Sequence, residues 1–390
     1  MTTTAERYRA YEGIALFSMG FRPFFLAAGL WGSLAVPLWI ASYCGWLPGV
    51  DRDWHVHEML FGYLASVIAG FLLTAIPNWT GRLPVTGTPL ILLISLWCIG
   101  RIAMLAAPQS PPAAFLDSLF LVALAGVVAR EVIAGKNARN LPVCIIIGLF
   151  ALANVFTHLR LVDANLATLG ERGALALVAM LLALIGGRIT PSFTRNWLAK
   201  RQSARMPAPA GRFDTIVLAV SAASLLSWVA FPEHGVVGAL LMLAGLLNVL
   251  RLLRWRGWLT GSEPLVLILH TGYAWLAAAL LLLGAHGLAP DMIARTAGVH
   301  ALTAGAFGVM TLAVMTRATR GHTGRPLTAD VATRVVYGLV NVGAILRASA
   351  PFFPAFYAPL LIAAALFWSG AFLVFTVRYA PLLLQARHTA

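Results

Sequence analysis

Twelve apolar runs, each of about 20 residues and separated by breaks rich in Pro, Gly and charge, leave this chain few ways to fold. Their limits are 21–43, 54–76, 88–107, 112–133, 141–162, 171–191, 213–231, 235–253, 263–284, 292–316, 331–349 and 354–377. Each is long enough to cross the hydrocarbon of a bilayer as a helix, and no stretch between them is long enough for a soluble domain. The expected fold is therefore all-α, a single twelve-helix transmembrane domain over residues 1–390. The residues are 60% hydrophobic and 11% charged, which fits that class and no ordinary soluble one.

Charge sets the expected orientation. With the N-terminus inside, 22 of the 28 Lys and Arg residues fall at the two ends and in the even-numbered loops, as the positive-inside rule requires when both termini are cytoplasmic. The richest loop, Arg188 to Arg212, is read as a basic face against anionic lipid and not as a nucleic-acid surface, because no soluble basic face exists to carry one. Met1 to Gly13 is polar and charged, and the first apolar run is too long for the core of a cleavable signal. Cys44, Cys98 and Cys144, with no C-x-x-C spacing, exclude a disulfide framework, a zinc ribbon and a cysteine-ligated iron–sulfur cluster.

Self-comparison exposes a repeat. Span two reads His57-Glu58-Met59-Leu60-Phe61-Gly62 and ends in Thr80-Gly81-Arg82, while span ten reads His300-Ala301-Leu302-Thr303-Ala304-Gly305 and ends in Thr323-Gly324-Arg325, in the same register without a gap. Span six joins more weakly, through Thr190-Pro191-Ser192-Phe193-Thr194 against Ile76-Pro77-Asn78-Trp79-Thr80. A period of four helices suggests three arcs about a pseudo-threefold axis, unlike the repeats usual in secondary transporters. Spans two and ten run in the same direction, so His57 and His300 are expected at one depth in the outer half of the membrane. Two neutral imidazoles so placed suit the two faces of a haem; the alternative is hydrogen-bonded packing or a proton relay.

The remaining polar residues form smaller groups. His55 and His57 are separated by about 200° on a helix, so they serve different partners. Met59 lies one turn from His55, and copper held by some of His55, His158 and His270 is expected, against pairing of His158 with Asn154 and of His270 with Tyr273. His234 and His286 are read as outer-loop residues and His388 as a tail residue, all solvated. Arg52 and Arg295, each five residues before its histidine, suit the clamping of haem propionates or simple interfacial anchoring. Glu58, inside an apolar run, is the candidate proton donor or hydrogen-bonding partner of a metal-ligating histidine. At the inner face Arg188, Arg195, Asn196, Arg317, Arg320 and His322 are read as lipid contact and capping, with quinol binding as the alternative. Trp54, Trp79, Trp197, Trp255 and Trp258 are read as interfacial anchors.

Several of these segments resemble the NnrS family: Phe21-Arg22-Pro23-Phe24-Phe25, Trp54-His55-Val56-His57-Glu58-Met59-Leu60-Phe61-Gly62, Gly186-Gly187-Arg188-Ile189-Thr190-Pro191, His270-Thr271-Gly272-Tyr273-Ala274-Trp275, and the stretch from His300 through Met310 and Arg317 to Arg325. They cover nearly the whole chain in order. The resemblance implies a bacterial inner-membrane protein with haem and copper, associated with denitrification and tolerance of nitric oxide. The helix arrangement is also similar to the catalytic subunit of haem–copper oxidases and nitric oxide reductases, whose spans two and ten carry haem histidines. The copper-binding histidines those enzymes place on spans six and seven are missing here, so that copper site does not transfer.

The function expected from these readings is a haem- and copper-binding redox protein that acts on nitric oxide or a nitrosyl species with electrons from quinol. A secondary transporter or metal-trafficking protein is the alternative from another class, and a nitric oxide sensor or sink without turnover is the third.

Overall fold

The structure is a computed structural model that describes residues 11–386; the start of the N-terminal segment and His388 lie outside the described residues. Twelve helices are long and apolar enough to span a membrane. They are α1 (Phe21–Tyr43), α2 (Arg52–Thr80), α3 (Thr88–Ala106), α4 (Pro111–Ala134), α5 (Ala138–Thr157) and α6 (Ala164–Lys200), followed by α7 (Arg212–Ala230), α8 (Gly235–Arg254), α9 (Pro264–Leu288), α10 (Arg295–His322), α11 (Val331–Phe352) and α12 (Pro354–Leu384). No strand occurs among the described residues. The all-α membrane fold expected from the apolar runs is the fold observed.

Helix α6 overruns its apolar limits most. Gly186, Gly187 and Pro191 look like breaks in sequence, yet the helix continues through Pro191 to Lys200. Membrane helices tolerate such residues because neighbouring groups re-satisfy the freed backbone.

The chain forms two compact units. The first comprises Met1–Ala174, Arg317–Pro326 and Phe375–Ala390. Its core lies between α1 and α2, where Gly70 admits the rings of Phe24 and Phe25 and the Ser66 hydroxyl donates to the Phe24 carbonyl at 2.7 Å. Buried Arg22 donates to the carbonyls of Leu382, Leu383 and Gln385, at 3.3, 2.9 and 2.5 Å. It thereby satisfies the last turn of α12, whose carbonyls have no intrahelical donor. The second unit comprises Leu175–Thr316 and Leu327–Val374. There α8 and α9 meet through Gly238, Gly284 and Gly287, where a Cβ on Gly238 would come within 2.8 Å of Gly287 backbone. Small residues allow that approach, as is usual between membrane helices.

Helices α2 and α10 are built alike. Each opens with six α-helical residues ending in a histidine (Arg52–His57; Arg295–His300), passes into a seven-residue π-helical segment (Glu58–Leu64; Ala301–Phe307), and resumes as α-helix. Each also closes on a left-handed glycine, Gly81 at φ 69° and Gly324 at φ 75°. The preceding threonine back-bonds one turn up in both, Thr80 to Ile76 at 2.9 Å and Thr323 to Thr319 at 2.7 Å. The Thr-Gly-Arg signature is thus a helix stop, since only glycine enters the left-handed region without a Cβ penalty. The glycine five residues after each histidine has a physical cause as well. A Cβ on Gly62 would lie 2.8 Å from Arg101 and Glu58, and one on Gly305 would lie 2.6 Å from the Trp275 indole.

Candidate metal centre

The π-helical turn that begins at Glu58 leaves His57 and Glu58 both facing the interior of the first unit. Around them stand Arg101 from α3, Asp117 from α4, Asn154 from α5 and His158 just beyond it. Glu58 is fully buried, and Asp117, Arg101 and His57 are only 2%, 4% and 5% exposed. Arg101 holds both carboxylates, donating to Glu58 Oε1 at 2.5 Å and to Asp117 Oδ1. His57 Nδ1 lies 3.1 Å from Glu58 Oε1, while its Nε2 lies 3.1 Å from Asp117 Oδ2 and 3.0 Å from Asn154 Oδ1. Asp117 Oδ2 also receives Asn154 Nδ2 at 2.9 Å and faces His158 Nε2 at 3.0 Å.

Two imidazoles and a carboxylate therefore converge. Donor atoms of His57, Asp117 and His158 all lie within 4.8 Å of one another, close enough to ligate one ion, and imidazole suits copper, zinc or iron. Two carboxylates against one guanidinium leave the cluster one positive charge short. A metal cation supplies that charge, and so does a proton on His57, which faces an acceptor oxygen with each ring nitrogen. Burial makes the compensation necessary, because an unbalanced charge in an apolar interior is costly. Two polar atoms beside the cluster, Glu58 Oε2 and Trp31 Nε1, are buried without a hydrogen-bond partner among the described residues, and both point at the open side of Gly62.

A cavity of about 510 Å³ reaches His57 and His158 from the loops at that end of the unit, between walls that include Trp54, Met104 and Thr157. Four ion-paired side chains stand beside it. Glu171 accepts from Arg52 at 2.9 Å and from Arg160, and Asp53 accepts from Arg52 at 2.8 Å and from Arg160 at 2.8 Å, so the charges alternate in a closed ring.

Compared with known protein families, the chain matches NnrS protein over residues 15–387. The chain belongs to the NnrS family. No curated protein matches it. Membership agrees with the resemblance carried by the sequence motifs, and it turns attention to where this NnrS chain places the residues those motifs single out.

His57, Glu58 and His158 come together in the cluster just described. His55 does not join them; it stacks on Trp39 of α1, with ring centroids 5.3 Å apart and planes at 17°. His270 belongs to the second unit, where its Nε2 meets Thr194 Oγ1 at 2.7 Å. That hydroxyl already donates to the Thr190 carbonyl, so it accepts from His270. His300 also lies in the second unit, partly exposed, with Nδ1 2.8 Å from the Thr296 carbonyl. Arg52 is bound to Glu171 and Asp53, and Arg295 to Glu233 at 3.0 Å, so both arginines already hold protein carboxylates.

Some expected partners differ. His158 pairs with Asp117 and not with Asn154, which turns to His57 and Asp117 instead. Tyr273 is taken by Arg251 at 2.8 Å and Asn248 at 2.7 Å, leaving His270 to Thr194. His286 is not a solvated loop residue. It sits in the last turn of α9, buried, between the Ile293 carbonyl at 2.7 Å and Glu233 at 3.0 Å. His234 caps α8, accepting from the Val236 amide at 3.2 Å. At the expected inner face, Arg195 donates to the Pro207 carbonyl and Arg320 to the Pro326 carbonyl, both of which are loop-bracing bonds.

Sequence reasoning missed Arg101 and Asp117, and it named Asn154 only as a partner for His158. A signal existed: Arg101 and Asp117 each sit inside an apolar run, and an intramembrane charge demands a partner. Matching the isolated charges of neighbouring spans would have paired them.

Proposed function

We propose that this chain is a metal-dependent redox protein of the bacterial inner membrane, with both termini cytoplasmic, working in the nitric oxide and nitrosative-stress response of its family. Its metal is copper, held by His57, Asp117 and His158. The observation that carries this reading is the convergence of two imidazoles and a carboxylate, one positive charge short, at the end of a cavity open to the loops. Copper there supplies one-electron chemistry toward nitric oxide or a nitrosyl species.

The protein's own groups divide the remaining work. Arg101 fixes Asp117 and Glu58 and keeps the second carboxylate from repelling the first. Asn154 orients His57 from the other side. Glu58 accepts from Arg101 and faces His57 Nδ1 through the same oxygen, so it fixes the proton of that ring nitrogen and leaves Nε2 to the metal. The cavity admits a small molecule.

Haem, the other group implied by the family resemblance, fits His57 less well. A single ion can lie between His57 Nε2 and the Asp117 oxygen that faces it at 3.1 Å, whereas an axial ligand must present that nitrogen to the open face of a macrocycle, where Asp117 and Asn154 stand instead. No step is assigned to haem or to quinol. One observation favours the transport reading: a charged cluster at the end of a cavity open at one side also describes half of a cation pathway.

The test is copper content and paramagnetic resonance of full-length protein purified from copper-supplied cells, with a reduced-minus-oxidised visible spectrum on the same sample. Wild type is expected to hold one copper per chain. His158→Ala and Asp117→Asn lose it, whereas His55→Ala and His270→Ala keep it. Copper-free wild type, or full copper in all four variants, overturns the assignment.

A further inference from the structure

A second hollow lies in the other unit, far in sequence from the histidine cluster, and its lining is chemically two-sided. It is a groove of about 690 Å³ bounded by Met206, Ala208, Phe213, Leu250, Leu253, Arg254, Arg256 and Trp258. Helix α7 begins at Arg212 and α8 ends at Arg254, so the groove sits at the level where membrane helices stop and headgroups start. The segment before α7 is fixed across it by the Ala208 amide, which donates to the Arg254 carbonyl at 3.0 Å.

The charge in the groove is all of one sign. Its lining holds two arginines and no carboxylate. The nearest acid in sequence, Asp214, is taken by Arg251 at 2.9 Å. Arg254 lies over the Phe213 ring at 4.8 Å, and among the described residues neither Arg254 nor Arg256 has an ion-pair partner. Arg256 is also held at φ 55°, a left-handed conformation unfavourable for a residue with a Cβ. Backbone strain of that kind persists only where its surroundings impose it.

The apolar half continues beyond the groove. Leu253 and Leu250 belong to an exposed stripe on α8 that runs on through Leu246 and Leu243, at 51%, 51%, 52% and 46% exposure. Spacings of three and four residues keep these side chains on one helix face. The stripe leads from the arginines toward the middle of the membrane, which is the path of an acyl chain below its headgroup. Trp258, 61% exposed at the same level, adds the amphipathic ring typical of the interface.

The geometry points to a binding site for one anionic phospholipid, with its phosphate between Arg254 and Arg256 and an acyl chain along Leu253, Leu250 and Leu246. A free phosphate would use the arginines but not the stripe, and a zwitterionic lipid would use the stripe but bring a cation to the arginines. Each arginine near a membrane surface contributes about 1 kcal/mol to holding an anionic lipid, so losing both weakens binding by about thirtyfold.

The experiment uses the full chain in neutral detergent, with native mass spectrometry and thermal unfolding in the presence of phosphatidylglycerol, chain-matched phosphatidylcholine or inorganic phosphate. Phosphatidylglycerol is expected to remain bound and raise the unfolding temperature above that in phosphatidylcholine, with no effect of phosphate alone. Arg254→Gln with Arg256→Gln removes the difference between the two lipids. Met206→Trp, which fills the groove without altering charge, weakens both lipids, so the proposal remains testable if the double variant does not fold. Equal effects of the two lipids on wild type, a phosphatidylglycerol effect that survives both variants, or full reproduction of it by phosphate overturns the site.

Discussion

Replacing Arg101 by methionine tests the electrostatic logic of the cluster most directly. The guanidinium is 4% exposed and serves Glu58 and Asp117 at once. Without it two buried carboxylates face each other across His57, and the net charge of the three groups falls from minus one to minus two. Breaking a buried ion pair by removing one partner costs about 3–5 kcal/mol. Both carboxylates lose the same partner, so at least the middle of that range, about 4 kcal/mol, is expected. Glu58→Gln alone leaves Arg101 paired with Asp117 and costs less, about 1–3 kcal/mol. The double variant Arg101→Met with Glu58→Gln restores the original net charge, and its loss falls short of the sum of the singles by about 1–3 kcal/mol. Reversible unfolding in mixed micelles, titrated with a denaturing detergent, reads all three. A loss under about 1 kcal/mol for Arg101→Met, or strict additivity in the double variant, would show that the charges are not coupled, and the account of the cluster would fail.

Three more changes probe the packing of the first unit. Gly62→Ala places a methyl 2.8 Å from Arg101, Glu58 and Trp31 and is expected to cost about 1–3 kcal/mol in the same assay, whereas Gly126→Ala, which meets nothing within 4 Å, is neutral or stabilising by up to about 1 kcal/mol. Arg22→Met removes three bonds to the carbonyls that end α12 and is expected to cost about 2 kcal/mol, seen as about thirtyfold faster proteolysis near Gln385 with cleavage elsewhere unchanged.

How much of this was legible in the sequence follows from what each feature depends on. Helix number and type depend on the length of apolar runs alone, so all twelve were readable. Helix ends depend on local satisfaction of backbone groups, which explains why α6 runs past Pro191 and why α9 carries His286 in its last turn. The separation of His55 from His57 followed from helical geometry, and the structure sends one to Trp39 and the other to Asp117. The cluster itself needs four helices to meet. Arg101 and Asp117 announce a need for partners, but only packing decides that each finds the other and that Asp117, not Asn154, receives His158. The π-helical segments were invisible for a different reason. Seven residues of wider backbone turn leave no mark in hydropathy, although His and Gly at matching positions record where the turn must make room.

That room is used differently in the two copies, and the difference locates the chemistry. In α2 the space above Gly62 is bordered by a guanidinium, a carboxylate oxygen and an indole N–H. In α10 the space above Gly305 is occupied by the face of Trp275, whose Nε1 donates to Asn341 Oδ1 at 3.0 Å. One copy of the backbone device therefore admits charge and the other admits a neutral aromatic ring. The residue after the histidine follows the same division, Glu58 in one and Ala301 in the other. A carboxylate beside His57 requires Arg101, and Arg101 in turn supports Asp117, so the glycine, the glutamate, the arginine and the aspartate stand or fall together. Nothing in α10 calls for such a set, because Ala301 brings no charge to balance. The repeat thus accounts for the common helix frame but not for a second site of the same kind, and the proposed metal chemistry rests on the side chains that distinguish α2 from its counterpart.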